Sequence, residues 1–109
     1  MTIKEIADKL AVKSLTKVFE KKVTGVYISD MVSDVIANAK AGNILVTVQV
    51  HNNVIAAANL VDLAGIIITR GRKPGDDMVT LAERAEIPLF VTDMNNWQIA
   101  TMLYEAGIR

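Results

Sequence analysis

Four short polar stretches place side chains with chemical capability at junctions where they could act together: Ser29-Asp30, His51-Asn52-Asn53, Thr69-Arg70-Gly71-Arg72-Lys73 and Thr92-Asp93. The basic, glycine-flanked run Gly71-Arg72-Lys73-Pro74-Gly75 is the nearest approach to a phosphate loop, in which backbone amides cradle phosphates and a lysine reaches them. It lacks the glycine-rich spacing and the terminal Lys-Ser/Thr pair of such loops. Asp76 and Asp77 also occupy the helix start that a phosphate would take. Two readings stand. Arg70, Arg72 and Lys73 contact an anion through side chains and a few amides, or the loop is solvated and one cation pairs with those aspartates, an exposed pair worth about 0–1 kcal/mol.

His51 is the only histidine and cysteine is absent. A zinc site would then need several carboxylates in place of its usual nitrogen and sulfur ligands, so no metal is assigned. General-base chemistry at His51 has geometric room at a strand end, but no serine, threonine or acid is tied to it by a local motif. The plainer reading makes His51 a turn residue, with Asn52 or Asn53 capping the following helix. Asp93 or Asn95 has the same capping explanation one junction later. Trp97, Met102 and Tyr104 suit packing on a final helix better than a ligand cage. No catalytic residue and no cofactor is assigned.

The elements that position these stretches are legible from periodicity. Thr2-Ile3-Lys4-Glu5 has capping-box spacing and opens a helix to about Leu10. Ser14 to Phe19 reads as an edge strand, and Gly25 to Ile28 as a short buried strand. Ser29 or Asp30 caps a helix carrying Met31, Val32, Val35, Ile36 and Ala39 on one face and stopping at Gly42. Strand then alternates with helix: Ile44 to Val50, Asn53 to Ala64, Gly65 to Thr69, Asp76 to Ala85, Ile87 to Thr92, Asn95 to Ala106. Strands separated by single helices run parallel. The expectation is an α/β fold in two or three layers around about four mainly parallel strands. Residues 1–109 form a single domain, with 1–22 an N-terminal helix and edge segment and 23–106 the β-α core. In such a sheet the four polar stretches fall together at the carboxyl ends of the strands, the usual place for a ligand.

Composition narrows the classes. A chain of 109 residues has room for one core and buries about two-thirds of its unfolded surface. Twelve basic and twelve acidic residues cancel, so no global field draws the chain to nucleic acid or anionic membranes. There is neither a secretory leader nor an apolar run of about 18 residues, and the expected location is cytoplasmic.

Between Val54 and Ala64 only Asn59 and Asp62 are polar, so the helix is apolar around most of its circumference, whereas one sheet face needs an arc of about 100°. Neighbouring helices cover the excess, or a second copy does, with Ala56, Ala57 and Ala58 allowing close approach. The residues expected at such a dimer interface are Ala56, Ala57, Asn59, Leu60 and Leu63. An apolar fraction of 51% leans towards the dimer.

The runs Ile44-Leu45-Val46-Thr47-Val48, Val54-Ile55-Ala56-Ala57-Ala58, Gly65-Ile66-Ile67-Ile68-Thr69-Arg70-Gly71, Leu81-Ala82-Glu83 and Ile87-Pro88-Leu89 together resemble the DRTGG domain family, related in fold to the N-terminal domain of HPr kinase/phosphorylase. The resemblance covers about Val23 to Tyr104. In the name-giving pattern Asn52 and Asn53 stand at the Asp and Arg positions, Thr69 and Gly71 match, and Arg70 replaces the first glycine. The resemblance implies a domain joined elsewhere to CBS modules, pyrophosphatase domains or acetyl-phosphate enzymes, in a regulatory or assembly role. It does not imply kinase activity, because the phosphate loop of those kinases belongs to a separate domain.

The expected function is a non-catalytic regulatory domain, homodimeric, that senses a nucleotide or small anion at the carboxyl rim through His51, Asn52, Asn53, Thr69, Arg70, Gly71, Arg72, Lys73 and Asp93. The alternative is a structural module that dimerises and holds a protein partner with no small-molecule ligand.

Overall fold

In the computed structural model, which describes residues 1–109, Thr2 accepts the Glu5 amide and Glu5 returns to the Thr2 amide, closing the expected capping box. Helix α1 (Ile3–Leu10) follows, burying Ile3, Ile6, Ala7 and Leu10 at helical spacing. It ends in a left-handed turn at Ala11 and gives way to strand β1, which is only Lys13–Ser14. The strand expected to run to Phe19 is cut short because the Ser14 hydroxyl donates to the Thr16 carbonyl at 2.6 Å, while the Thr16 hydroxyl accepts the Leu89 amide at 3.1 Å. A side chain thus takes the ladder position that further strand backbone would have filled.

Then come β2 (Gly25–Ile28), α2 (Val32–Asn38), β3 (Asn43–Thr47), α3 (Asn52–Val61), β4 (Gly65–Ile68), α4 (Asp76–Arg84), β5 (Leu89–Val91) and α5 (Asn96–Glu105). The sheet order is β1-β5-β4-β3-β2, with β2 to β5 parallel and β1 antiparallel to β5. The three crossovers from β2 to β5 all step the same way across the sheet. Crossovers of one hand stepping one way must leave their helices on one face, so α2, α3 and α4 share a side. The terminal helices α1 and α5 cover the other, giving three layers.

Side chains alternate accordingly. Leu45, Ile66, Ile68 and Leu89 pack with Val35, Val54, Ile55, Met78 and Ala82 on the three-helix side. Ile44, Val46, Ile67 and Phe90 meet Ile3, Ile6, Leu10, Ile99 and Leu103 on the other. Strand β4 is buried along its whole length because it is central and covered on both faces. Gly65 opens it, and a Cβ there would lie 3.1 Å from the Ile3 side chain and 3.2 Å from the Pro88 carbonyl.

The apolar circumference of α3 has a local explanation: it lies between α2 and α4 as well as on the sheet. Ala57, Ala58 and Leu63 are buried inside this chain's own core, so they are not surface residues as the dimer expectation required. Ala56, Asn59 and Leu60 face outward, with Leu60 70% exposed. Two caps also differ. His51, not Asn52 or Asn53, occupies the α3 cap position and makes no side-chain cap bond. Met31 does the same for α2, which already ends at Asn38. Gly42, with φ +83°, serves the turn into β3, where a Cβ would sit 2.6 Å from the Thr24 hydroxyl.

Candidate functional site

Strand β4 ends in a threonine that is fully buried. Thr69 donates its hydroxyl to the Asn96 side chain and its amide to the Thr47 carbonyl at 3.0 Å. The chain then makes a tight reversal through two left-handed residues, Arg70 (φ 61°) and Gly71 (φ 68°). The Arg70 amide donates to the Met94 carbonyl at 2.8 Å and the Gly71 amide to the Thr92 carbonyl at 2.9 Å, so this loop is sewn to the end of β5. A Cβ on residue 71 would lie 3.1 Å from Asp93 Oδ1, which is why glycine suits the place where the Asp93 carboxylate passes over the backbone. Asn95 caps α5 through a second capping box with Gln98, holding the far wall.

This stitching leaves a cleft of about 400 Å³ between the end of α1, the basic loop and the end of β5. Lys13, Arg72 and Lys73 supply three cations along it and Asp93 one carboxylate, while Val91 and Met94 add apolar wall. Its size falls within the range of small-molecule sites. Loops at the carboxyl ends of parallel strands form it, with β1 contributing a lysine from the antiparallel edge.

The structure therefore gathers Gly71, Arg72, Lys73 and Asp93 from the expected set and adds Lys13. Lys13 was missed because its place depends on β1 pairing with β5, Lys13 opposite Val91, across most of the sequence. Its only local signal is a polar residue just after the α1 helix ends. Arg70 is exposed beside the cleft without lining it, and Thr69 lies beneath, in the core. His51, Asn52 and Asn53 follow β3 and do not line the cleft. Asn52 instead borders a separate groove with Ile55, Ala56, Asn59, Leu81 and Arg84.

Asp30 has a different task. Its Oδ1 accepts the Thr47 hydroxyl and the Val48 amide, each at 2.9 Å, fastening the end of β2 to the end of β3 instead of capping α2. Nearby, Asp34 takes the Tyr27 phenol at 2.9 Å and the Asn38 amide at 2.8 Å. The Ser29 hydroxyl first, then Asn38 and Tyr27, hold the Asp34 carboxyl below its ordinary value. The same hydrogen bond to Asp34, then burial, pushes the Tyr27 phenol up. No three His, Cys, Asp or Glu side chains gather anywhere as a metal site would require, and no helix is long and apolar enough to cross a membrane.

The DRTGG domain family pattern matches residues 5–106, and the chain belongs to that family. Solved structures similar to it include the CBS and DRTGG domains of the regulatory region of Clostridium perfringens pyrophosphatase, complexed with the activator diadenosine tetraphosphate. That likeness has a TM-score of 0.71 at 14% identity, covering 94% of this chain and 45% of that one. It is a likeness of fold, and the chain spans less than half the length of that neighbour. No curated protein matches in sequence. Asn52, Asn53, Thr69, Arg70 and Gly71 follow the adjacent parallel strands β3 and β4, and of them only Gly71 lines the cleft.

Proposed function

We propose that the chain is a non-catalytic regulatory domain whose cleft binds a nucleotide or small anion between Lys13, Arg72, Lys73 and Asp93. The observation that carries this is the convergence of three cations from two distant segments on one open cleft at the strand ends. Cations that share a concave wall raise the local concentration of an anionic ligand and bind it more tightly than scattered ones. The C. perfringens neighbour supports a regulatory reading, since that larger region is complexed with a nucleotide activator. Occupancy would tighten the loop from Arg70 to Lys73 against the end of β5, and through Asn96 the start of α5, which presents Trp97, 75% exposed, to the outside.

Thermal unfolding with a panel of phosphates, nucleotides and acyl phosphates tests this. A ligand at about 100 times its dissociation constant adds roughly 2.7 kcal/mol, on the order of 10 °C in a domain of this size. The expected result is such a shift in the native chain and its loss in Arg72→Ala.

A second reading is a module that dimerises and holds a protein partner without a small ligand. The exposed residues Ala56, Asn59 and Leu60 on α3, with Leu81 of α4 beside them, favour it. A flat ligand panel, together with a dimer that Leu60→Glu converts to monomer in sedimentation, would establish this reading in place of the first.

A further inference from the structure

The cleft carries a carboxylate among its cations, and that mixture selects for more than negative charge. The hydrogen bonds at this junction engage Thr69 with Asn96 and the Thr92 hydroxyl with the Met94 amide, and leave Asp93 out. Asp93 is exposed at the cleft wall, and its Oδ1 is set above Gly71 by a loop whose backbone is fixed by two amide hydrogen bonds. A carboxylate so placed repels a bare phosphate and accepts hydrogen bonds from hydroxyl groups. No aromatic side chain lines the cleft, so nothing there stacks on a base.

From this we infer that the ligand is a phosphorylated sugar bearing a free vicinal diol, as in a ribonucleotide or a sugar phosphate, with the phosphates on Arg72, Lys73 and Lys13 and the diol on Asp93. The inference rests on the proposed ligand-binding reading of the same cleft and adds the recognition of the sugar. The cations supply attraction common to all phosphates. Asp93 supplies discrimination, because a ligand without the diol leaves a carboxylate facing phosphate with no compensating donor.

Calorimetric titration of the intact chain with ADP, 2′,3′-dideoxy-ADP, ribose 5-phosphate and inorganic pyrophosphate tests it. The native chain should bind ADP at least about tenfold more tightly than the dideoxy analogue, the discrimination expected of one hydrogen bond to a charged group. Asp93→Ala, which removes the acceptor, should erase that preference and tighten pyrophosphate, while its melting temperature stays within a few degrees of native. Ribose 5-phosphate binding as well as ADP would assign the site to sugar phosphates generally, and ADP alone to nucleotides. Equal binding of ADP and its dideoxy analogue, or a preference that survives Asp93→Ala, overturns the role of the diol while leaving an Arg72-dependent anion site. Failure of every probe to bind, or binding indifferent to Arg72→Ala, overturns the ligand-binding reading itself.

Discussion

Two ends of one sheet rim contrast in this domain. At the β2–β3 end, Asp30 is bound by the Thr47 hydroxyl and the Val48 amide, and the crevice among Met31, Val35, Leu45 and Val54 has no space even for a water molecule. At the β4–β5 end the equivalent strand-end acid, Asp93, takes no part in the local hydrogen bonds and borders a cleft of about 400 Å³. Both acids follow parallel strands, within two residues of the strand end. What separates them is whether neighbouring backbone amides and hydroxyls need an acceptor. Where the chain itself satisfies the carboxylate, the rim closes and is structural. Where its own backbone carbonyls accept the amides of Arg70 and Gly71, the carboxylate is left outside the local hydrogen bonds, open to the proposed ligand.

The largest test of that contrast is the pair Asp30→Ala and Asp93→Ala. The first leaves the buried Thr47 hydroxyl and the Val48 amide without their acceptor, at a cost of about 2 kcal/mol, or roughly 10 °C in melting temperature. The second removes an exposed side chain outside the local hydrogen bonds and should change stability by less than about 0.5 kcal/mol. Differential scanning calorimetry of both variants decides the matter; equal losses would mean that Asp93 is structural too. Next in size is Gly71→Val. A β-branched residue in the left-handed region, crowding Asp93 Oδ1, should cost about 1–2 kcal/mol and close the cleft to ligand together.

The alternation of strand and helix, the parallel sense and the gathering of polar stretches at one rim were all readable, because each follows from local periodicity and the handedness of crossovers. The capping box of Thr2 and Glu5 was readable for the same reason. The identity of the open end was not. Nothing local distinguishes Asp30 from Asp93; that depends on Thr47, seventeen residues away, meeting one of them. Lys13 was hidden by an antiparallel pairing that spans nearly the whole chain. The burial of Ala57 and Leu63 was hidden as well, since apolar excess on α3 says that something covers it, and the order of strands says what. The early stop of β1 required knowing that the Thr16 hydroxyl would take the Leu89 amide.

On the closed side, the lowered Asp34 carboxyl predicts a pH dependence. A carboxyl whose folded pKa is depressed contributes stability that is complete above its unfolded value and is lost as pH falls through the folded value. Tyr27→Phe removes one of the hydrogen bonds holding Asp34 down, so its titration midpoint, followed by carbon NMR of the carboxyl, should rise towards the ordinary value and acid unfolding should begin at higher pH. A midpoint for Asp34 that stays put in Tyr27→Phe would assign the depression to Ser29 and Asn38 alone.

The smallest expected effect lies at Arg70, a non-glycine residue that keeps a left-handed φ of 61°. An ordinary side chain there is disfavoured by about 1–2 kcal/mol, so Arg70→Gly relieves strain in the folded chain. Glycine also gives the unfolded chain more freedom, which opposes folding by about 0.5–1 kcal/mol. The two terms nearly cancel, and the melting temperature should rise by no more than a few degrees. Ligand binding separates the readings of this residue more sharply than stability does. Arg70 sits beside the cleft without lining it, so Arg70→Gly should weaken anion binding far less than Arg72→Ala, and its small effect should shrink further as added salt screens a charge that acts only at a distance. Equal losses in the two variants would show that Arg70 swings into the cleft when ligand arrives, and would extend the open end of the rim by one residue.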